Sequence, residues 1–399
     1  MIKLPIYMDY HSTTPVDPRV VEAMLPSFRE KFGNAASRNH PFGWDAEKLV
    51  ENARAQIAHA LHADPKEIVF TSGATEANNL ALKGVVETYR EKGNHFITQV
   101  TEHKSVLDTA KYLEKQGVLV SYLPVDRYGL VDLDELKKAI TDKTILISIM
   151  AANNEIGTIQ PIEEIGKIAK SKGILFHVDA AQAVGKISID VEKMGIDLLA
   201  FTAHKMYGPK GIGALYVRKK NPRVRLSPLV HGGGHEGGLR SGTLNVPAIV
   251  GFGKACEIAE KERAEEASRL LRLRKRLFEA ITSKLDDVSL NGHPEKRLPG
   301  NLNLSFPFVE GESLLMGISE EVAVSSGSAC SSASVEPSYV LKSLGIPKEL
   351  VHASIRFGLG RFNTEEEVDY TARKTVEMVN RLREISPVYQ AAKAARLAH

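Results

Sequence analysis

The sequence predicts an α/β protein: a large, mainly parallel sheet covered by helices on both faces, followed by a smaller α+β unit. Three observations predict it. From about Pro65, short apolar, β-branched runs alternate with segments of helical period. The runs are almost continuously apolar, as strands buried on both faces are. After about Val246 the pattern changes to one long charge-dense helical stretch and then to short alternating strands.

Strands are expected at Ile68–Thr71, His95–Val100, Val118–Pro124, Thr144–Met150, Ile174–Val178 and Gly195–Thr202, with a further apolar run at Ile212–Val217. Between them Ala74–Arg90, Ser105–Lys115, Leu133–Ile140 and Ile162–Ser171 carry helical periodicity. Gly251–Leu285 repeats Leu270, Leu273, Leu277, Ile281 and Leu285 on one helical face. Short strands follow at Asn301–Phe306, Val322–Ser325 and Ile355–Phe357. The last helix opens with a capping box, Thr364 to Glu367. The tail beyond Pro387 is small and basic and is expected to fray. This divides the chain into residues 15–255 as the large unit, and residues 1–14 with 256–399 as the small α+β unit.

Composition narrows the function. The chain has 399 residues, 43% hydrophobic and 25% charged, with a formal net charge of only +3, which suits a soluble globular protein. Acidic and basic residues are interspersed, so no basic stripe for nucleic acid is present. No apolar run is long enough for a membrane span. The N-terminus has neither a signal-peptide core nor an Arg/Ser-rich leader, so the cytoplasm is expected, although an organellar protein stripped of its leader would look the same. Two cysteines, Cys256 and Cys330, do not make a disulfide scaffold. Cys256 sits in a helical pattern as a small buried side chain.

Polar residues gather where strands end. Thr71–Asn79 passes from strand to helix through Gly73, leaving the backbone N–H groups of Ala74 and Thr75 at a helix N-terminus; such a turn either binds a phosphate or is simply capped. Asp179 ends the run ILFHVD, where it caps the next helix or faces a cationic heterocycle. Gln182 follows three residues on. His103 and Asn154 stand at two further strand ends. Lys205, in FTAHKMYGPKGIG, comes from a fifth. In an open α/β sheet, ligands bind beyond such ends. A phosphate cradle, an aspartate for a ring nitrogen and a lysine for a Schiff base together describe a pyridoxal phosphate site.

The motifs YMDYHSTTPVDPRV, FTSGATEANN, TEHKSVLD, NNEIGTIQ, HVDAAQAVGK, HKMYGPKGIGALYV, RSGTL and SSGSAC occur in order over nearly the whole chain. It resembles the cysteine desulfurases of the housekeeping iron–sulfur-cluster group. The resemblance implies a homodimeric, fold-type I pyridoxal phosphate enzyme. It would take sulfur from L-cysteine, release L-alanine and pass the sulfur on as a persulfide, to an iron–sulfur scaffold protein and other acceptors. It implies Lys205 as the cofactor-bearing lysine, Cys330 as the persulfide cysteine, and His103 as the residue that stacks on the ring and moves protons. Asp179 would partner the ring nitrogen, Gln182 the phenolic oxygen, and Asn154 would be a further contact. Ala74, Thr75, Thr202, Ala203 and His204 fall in the phosphate-binding stretches, and Thr243 would reach the phosphate of the other subunit. Arg356 would grip the substrate carboxylate.

Cys330 lies among small residues, SSGSACSSAS, either a Ser–Gly connection with an incidental cysteine or a segment able to carry a thiol in and out of the site. This serine- and glycine-rich stretch resembles that of the long-loop, scaffold-donating group more than the short-loop group. No intrinsic metal is expected: only glycines separate His231 from His235, so no helix presents both on one face. At most, the resemblance implies a cluster shared transiently between Cys330 and a scaffold. Departures from the family pattern include His11–Ser12 for a common Ser–Ala, Ala35 for a proline, Ala151–Ala152 for a bulkier pair, and Gly237 for an arginine near the active-site mouth. The alternatives left by the sequence are a related lyase, such as one acting on selenocysteine, and a non-catalytic regulatory homologue.

Overall fold

The computed structural model describes residues 2–326 and 337–397. Its strands in chain order are β1 (Ile6–Tyr7), β2 (Ile68–Thr71), β3 (His95–Gln99), β4 (Leu119–Leu123), β5 (Thr144–Ser148), β6 (Leu175–Asp179), β7 (Leu198–Thr202), β8 (Gly213–Val217), β9 (Ser289–Leu290), β10 (Asn301–Ser305), β11 (Val322–Ala323), β12 (Ser325–Ser326) and β13 (Ser354–Gly358). Seven form one sheet in the order β2-β8-β7-β6-β5-β3-β4. The pairs from β7 to β4 are parallel, while β8 runs antiparallel to both β2 and β7. Reversing β8 follows from the short connection after β7: only residues 203–212 separate the two, too few for a helical crossover.

Alternation along these strands builds two cores. Phe70, Ile97, Phe176, Val178, Leu199, Phe201 and Tyr216 face one side, and Val69, Phe96, Leu175, Leu198, Ala200, Leu215 and Val217 face the other. Each fully buried large apolar side chain contributes about 1.5–3 kcal/mol. That double burial is why the strands read as continuous apolar runs.

A second unit is built on the sheet β12-β13-β10-β9, with the two-stranded pair β1-β11 beside it. The expected strand Val322–Ser325 is two short strands in different sheets. The helix Val246–Thr282 begins five residues before the expected Gly251. It is unbroken across the proposed boundary at 255/256. Its first half, including Phe252, Ala255 and Ile258, is buried in the large core, and Leu270, Leu273, Leu277 and Ile281 are buried in the small one. The handover between cores therefore falls between Ile258 and Leu270. The tail is also more ordered than expected: Pro387–Leu397 is helical, and Tyr389 stacks near Phe308 with ring centroids 5.6 Å apart.

Candidate active site

Five of the parallel-running strands deliver a polar residue to one edge of the large sheet. The cavity they border has a volume of about 590 Å³ and is lined by Ala74, Thr75, His103, Asn154, Asp179, Gln182, Thr202, His204 and Lys205. Nine of the residues expected from the sequence thus share one wall-to-wall space.

At one end, β2 turns through Gly73 into the helix Ala74–Tyr89. The first N–H groups of a helix have no acceptor one turn earlier, and no side chain caps them here. The turn lies close on β8: a Cβ on Gly213 would stand 2.7 Å from the Gly73 Cα and from the Phe201 carbonyl oxygen. Glycine at 213 lets the helix start sit over the sheet edge. Nearby, the Thr202 hydroxyl donates to the Ile212 carbonyl at 3.1 Å. His204 Nδ1 lies 3.1 Å from Thr13 Oγ1, and burial pushes this imidazole down to about 4.

At the other end Asp179 is the last residue of β6. Its Oδ2 accepts from Asn78 Nδ2 at 2.8 Å and its Oδ1 from the Ala181 N–H at 2.9 Å. Asp179 lines the cavity, and what it caps is a turn, not a helix: no helix lies between β6 and β7. Asn78 also donates to Ser105 Oγ at 2.8 Å, and Ser105 Oγ lies 2.8 Å from His103 Nδ1. His103 caps the helix Lys104–Glu114 by accepting the Ser105 N–H at 3.1 Å. That bond leaves its proton on Nε2. Burial, opposed by Asp179 and aided by Lys205, lowers its proton affinity. The imidazole is therefore neutral at pH 7.

Lys205 follows β7 in a single 3₁₀ turn, and its Nζ donates to the carbonyls of His11 and Ser12 at 2.6 and 2.5 Å. Arg356, on β13, is 1% exposed and lies one layer behind the lining. Its guanidinium donates to the Asn154 carbonyl at 3.0 Å, Ser12 Oγ at 2.7 Å and Asp9 Oδ1 at 2.8 Å. Ser325 on β12 pairs with Arg356. Cys330 itself lies outside the described residues.

Besides Arg356, two expected positions are not on this cavity. Ala203 is fully buried in the main core beneath it. Thr243 is exposed, on a segment tied down by Arg240 Nε to Glu76 Oε1 at 2.8 Å and by Glu236, which takes Arg54 at 2.8 and 2.9 Å and the Phe70 N–H at 2.8 Å. Gly237 follows Glu236 with φ 64, and a Cβ there would meet nothing within 4 Å. Sequence reasoning missed Asn78, Ser105, Ser12 and Thr13. Asn78 had a signal: it stands one helical turn after Thr75 in a polar TEANN run. No described group of acidic, cysteine and histidine side chains could hold a metal.

The residues fit the expected cofactor. An uncapped helix start suits a phosphate, a carboxylate fixed at both oxygens suits a protonated ring nitrogen, and an amine between them suits a carbonyl.

Comparison with known proteins agrees. The model of the aminotransferase class-V family matches residues 6–371. A relative described as cysteine desulfurase IscS from Anaeromyxobacter sp. (strain Fw109-5) is 59% identical over 392 residues, covering 98% of this chain and 96% of that one. Another of the same description, from Rickettsia bellii (strain OSU 85-389), is 57% identical over 387 residues, covering 97% and 94%. A solved structure described as a NifS-like protein superposes with a TM-score of 0.88 at 43% identity, covering 94% of this chain and 100% of that one. The chain belongs to the class-V aminotransferase family and, within it, to the pyridoxal phosphate-dependent cysteine desulfurases.

Proposed function

We propose that this desulfurase takes the sulfur of L-cysteine onto Cys330, with Lys205 as the cofactor-bearing lysine and proton shuttle. The observation that carries the reading is the placement of Lys205, Asp179, His103 and the uncapped Ala74–Thr75 turn around one cavity. Bound pyridoxal phosphate supplies an electron sink for negative charge at the substrate α-carbon.

The chain's own residues do the rest. The Ala74 and Thr75 N–H groups bind the phosphate, and Thr202 and His204 flank it. The Asp179 carboxylate accepts the ring N–H, and Asn78 keeps that carboxylate aimed. Gln182 lies toward the phenolic oxygen, and Asn154 lines the same wall. His103 presents its Nε2–H to the ring. Arg356 binds the substrate carboxylate, for which its planar fork is matched. Lys205 Nζ removes the α-proton. The Cys330 thiolate then forms an S–S bond with the substrate sulfur as the substrate Cβ–S bond breaks. Cβ takes a proton, L-alanine leaves, and Cys330 carries the persulfide.

The same reading makes the chain a cytoplasmic homodimer in which Thr243 reaches the partner's phosphate. Phe28, Phe32, Phe42 and Trp44 support it: they are 52–63% exposed, and Phe32 and Phe42 lie 5.4 Å apart. Such an apolar patch marks an interface. Among the described residues no helix is long and apolar enough to cross a membrane. We assign the persulfide to an iron–sulfur scaffold and other sulfur acceptors, with Ser386–His399 as a docking segment.

The test is to incubate the holoenzyme with L-cysteine and trap sulfane sulfur with a labelled alkylating reagent. The label is expected on Cys330 and not on Cys256, which is buried with its thiol pushed up by burial. Unimpaired sulfide release by Cys330→Ser would refute the persulfide route.

A further inference from the structure

A second cavity, small and enclosed, shares Lys205 with the site. It has a volume of about 30 Å³ and is bordered by His11, Lys186 and Glu266 among others. Lys186 has no part in the chemistry derived above. Its Nζ donates to Gln182 Oε1 at 2.7 Å. We propose that Lys186 is a positioning residue for the reaction: it fixes the Gln182 amide and, through His11, sets how tightly Lys205 holds its proton. The proposal rests on the reading of Lys205 as the cofactor-bearing lysine.

The hydrogen bonds fix every orientation. A carbonyl only accepts, so the Gln182 atom facing the His11 carbonyl is its nitrogen and the atom facing Lys186 is its oxygen. Gln182 Nε2 then donates to the His11 carbonyl at 2.8 Å. The same Oε1 lies 3.1 Å from His11 Nδ1, which must therefore carry the ring proton. His11 Nε2 is left bare, and it is buried without a protein partner. A bare nitrogen means a neutral ring; burial and the charges of Lys186, Arg356 and Lys205 favour that form. The His11 carbonyl takes Lys205 Nζ as well as Gln182 Nε2. Lys186, Gln182, His11 and Lys205 thus form one chain, in which His11 supplies geometry and Lys186 supplies charge.

The surroundings compensate that charge only in part, through Glu266. Glu266 is the carboxylate on this cavity, and Arg361 Nε engages it at 2.8 Å while its Nη1 takes Asp17 at 2.7 Å. Arg263, also on the cavity, is paired with Glu260. Tyr10 and Tyr207 border it as neutral phenols, pushed up by burial. Burial first, and Lys205 second, push Lys186 down to about 7. Lys186 keeps some accessible surface, as expected for a residue lining a cavity of water size. Two amines in one network, with one carboxylate already claimed, each weaken the other's hold on a proton. A lysine that must act as a base near neutral pH gains from that arrangement.

The experiment compares Lys186→Met and Lys186→Arg with wild type, all loaded with pyridoxal phosphate. The readouts are the pH midpoint of the bound cofactor's absorption change, and kcat and KM for L-cysteine. Methionine removes the charge at similar volume, so the midpoint is expected to rise by about one unit. With it, kcat should fall about tenfold while KM changes little. Arginine should keep the wild-type midpoint. The thermal midpoint of Lys186→Met should be unchanged or higher, since replacing a largely desolvated amine with a thioether removes a desolvation cost. A wild-type pH midpoint in loaded Lys186→Met overturns the proposal, as does an equal shift in Lys186→Arg. Borohydride fixation of the cofactor separates the underlying reading: if it succeeds equally in Lys205→Ala, the assignment of Lys205 fails, whatever Lys186 does.

Discussion

The two sides of the active site are built differently. On the large-sheet side, Asp179, His103 and Lys205 are held by bonds within their own unit or to residues 11–12, and all three face the cavity. On the small-unit side, Arg356 is tied at once to Asp9, Ser12 and Asn154, and it sits behind the lining. The first side is a set of contacts fixed along one sheet edge. The second spans a seam between the two units, with Ser325 of β12 paired to Arg356. The difference teaches that cofactor binding and sulfur transfer depend on separate sets of contacts, which substitutions can pull apart.

The sharpest break is Lys205→Ala. We expect kcat to fall roughly a thousandfold or more, with residual binding of the cofactor by the Ala74 turn and Asp179. Absorbance of the dialysed protein and alanine release check it. On the other side of the seam, Arg356→Lys keeps charge but loses the fork. KM for L-cysteine should rise roughly tenfold or more with the cofactor spectrum unchanged; an altered spectrum would merge the two sides.

The sheet side should also carry a pH signature. His177, on β6, is fully buried with Nδ1 2.8 Å from Ser148 Oγ, and burial holds its pKa down to about 3. A depressed histidine takes up its proton on unfolding, so its contribution to stability is complete above about 6.5 and is lost as the pH falls toward 3. In that window the slope is about 1.4 kcal/mol per pH unit for this one group. His177→Gln should flatten the denaturation profile between pH 6.5 and 4, although it lowers stability at pH 7. Least disruptive is Gly237→Arg. The left-handed backbone adds about 1 kcal/mol of strain, but the space is open, so the fold should survive. KM for cysteine should shift; identical kinetics would remove this position from substrate handling.

Much of this comparison was legible in the sequence. The β-branched runs placed six strands of the large sheet, because burial on both faces forces that composition. Their ends marked seven cavity residues, because a parallel sheet gathers its strand ends on one edge, and the family resemblance added Thr202 and His204. The reversal of β8 was not legible, since an apolar run carries no direction. The helix Pro41–Ala60 is hard to read because the small residues Gly43, Ala46, Ala53 and Ala58 make up much of its buried face, leaving only Val50 and Ile57 to carry a periodic signal. Ser105 and Lys186 were missed for a different reason. They act through hydrogen bonds to other residues, and spacing along the chain does not reveal such partners.

The helix Val246–Thr282 has a practical consequence. At 37 residues it is about 55 Å long, and each unit uses half of it as a wall. Neither unit can be expressed alone by cutting at a loop, because any cut near residue 255 strips one of them of its scaffold. Chimeras that exchange the cysteine-bearing unit between relatives must splice inside this rod, between Ile258 and Leu270, and keep its helical phase. An inserted single residue there would rotate one unit against the other by about 100° and pull Arg356 away from Asn154.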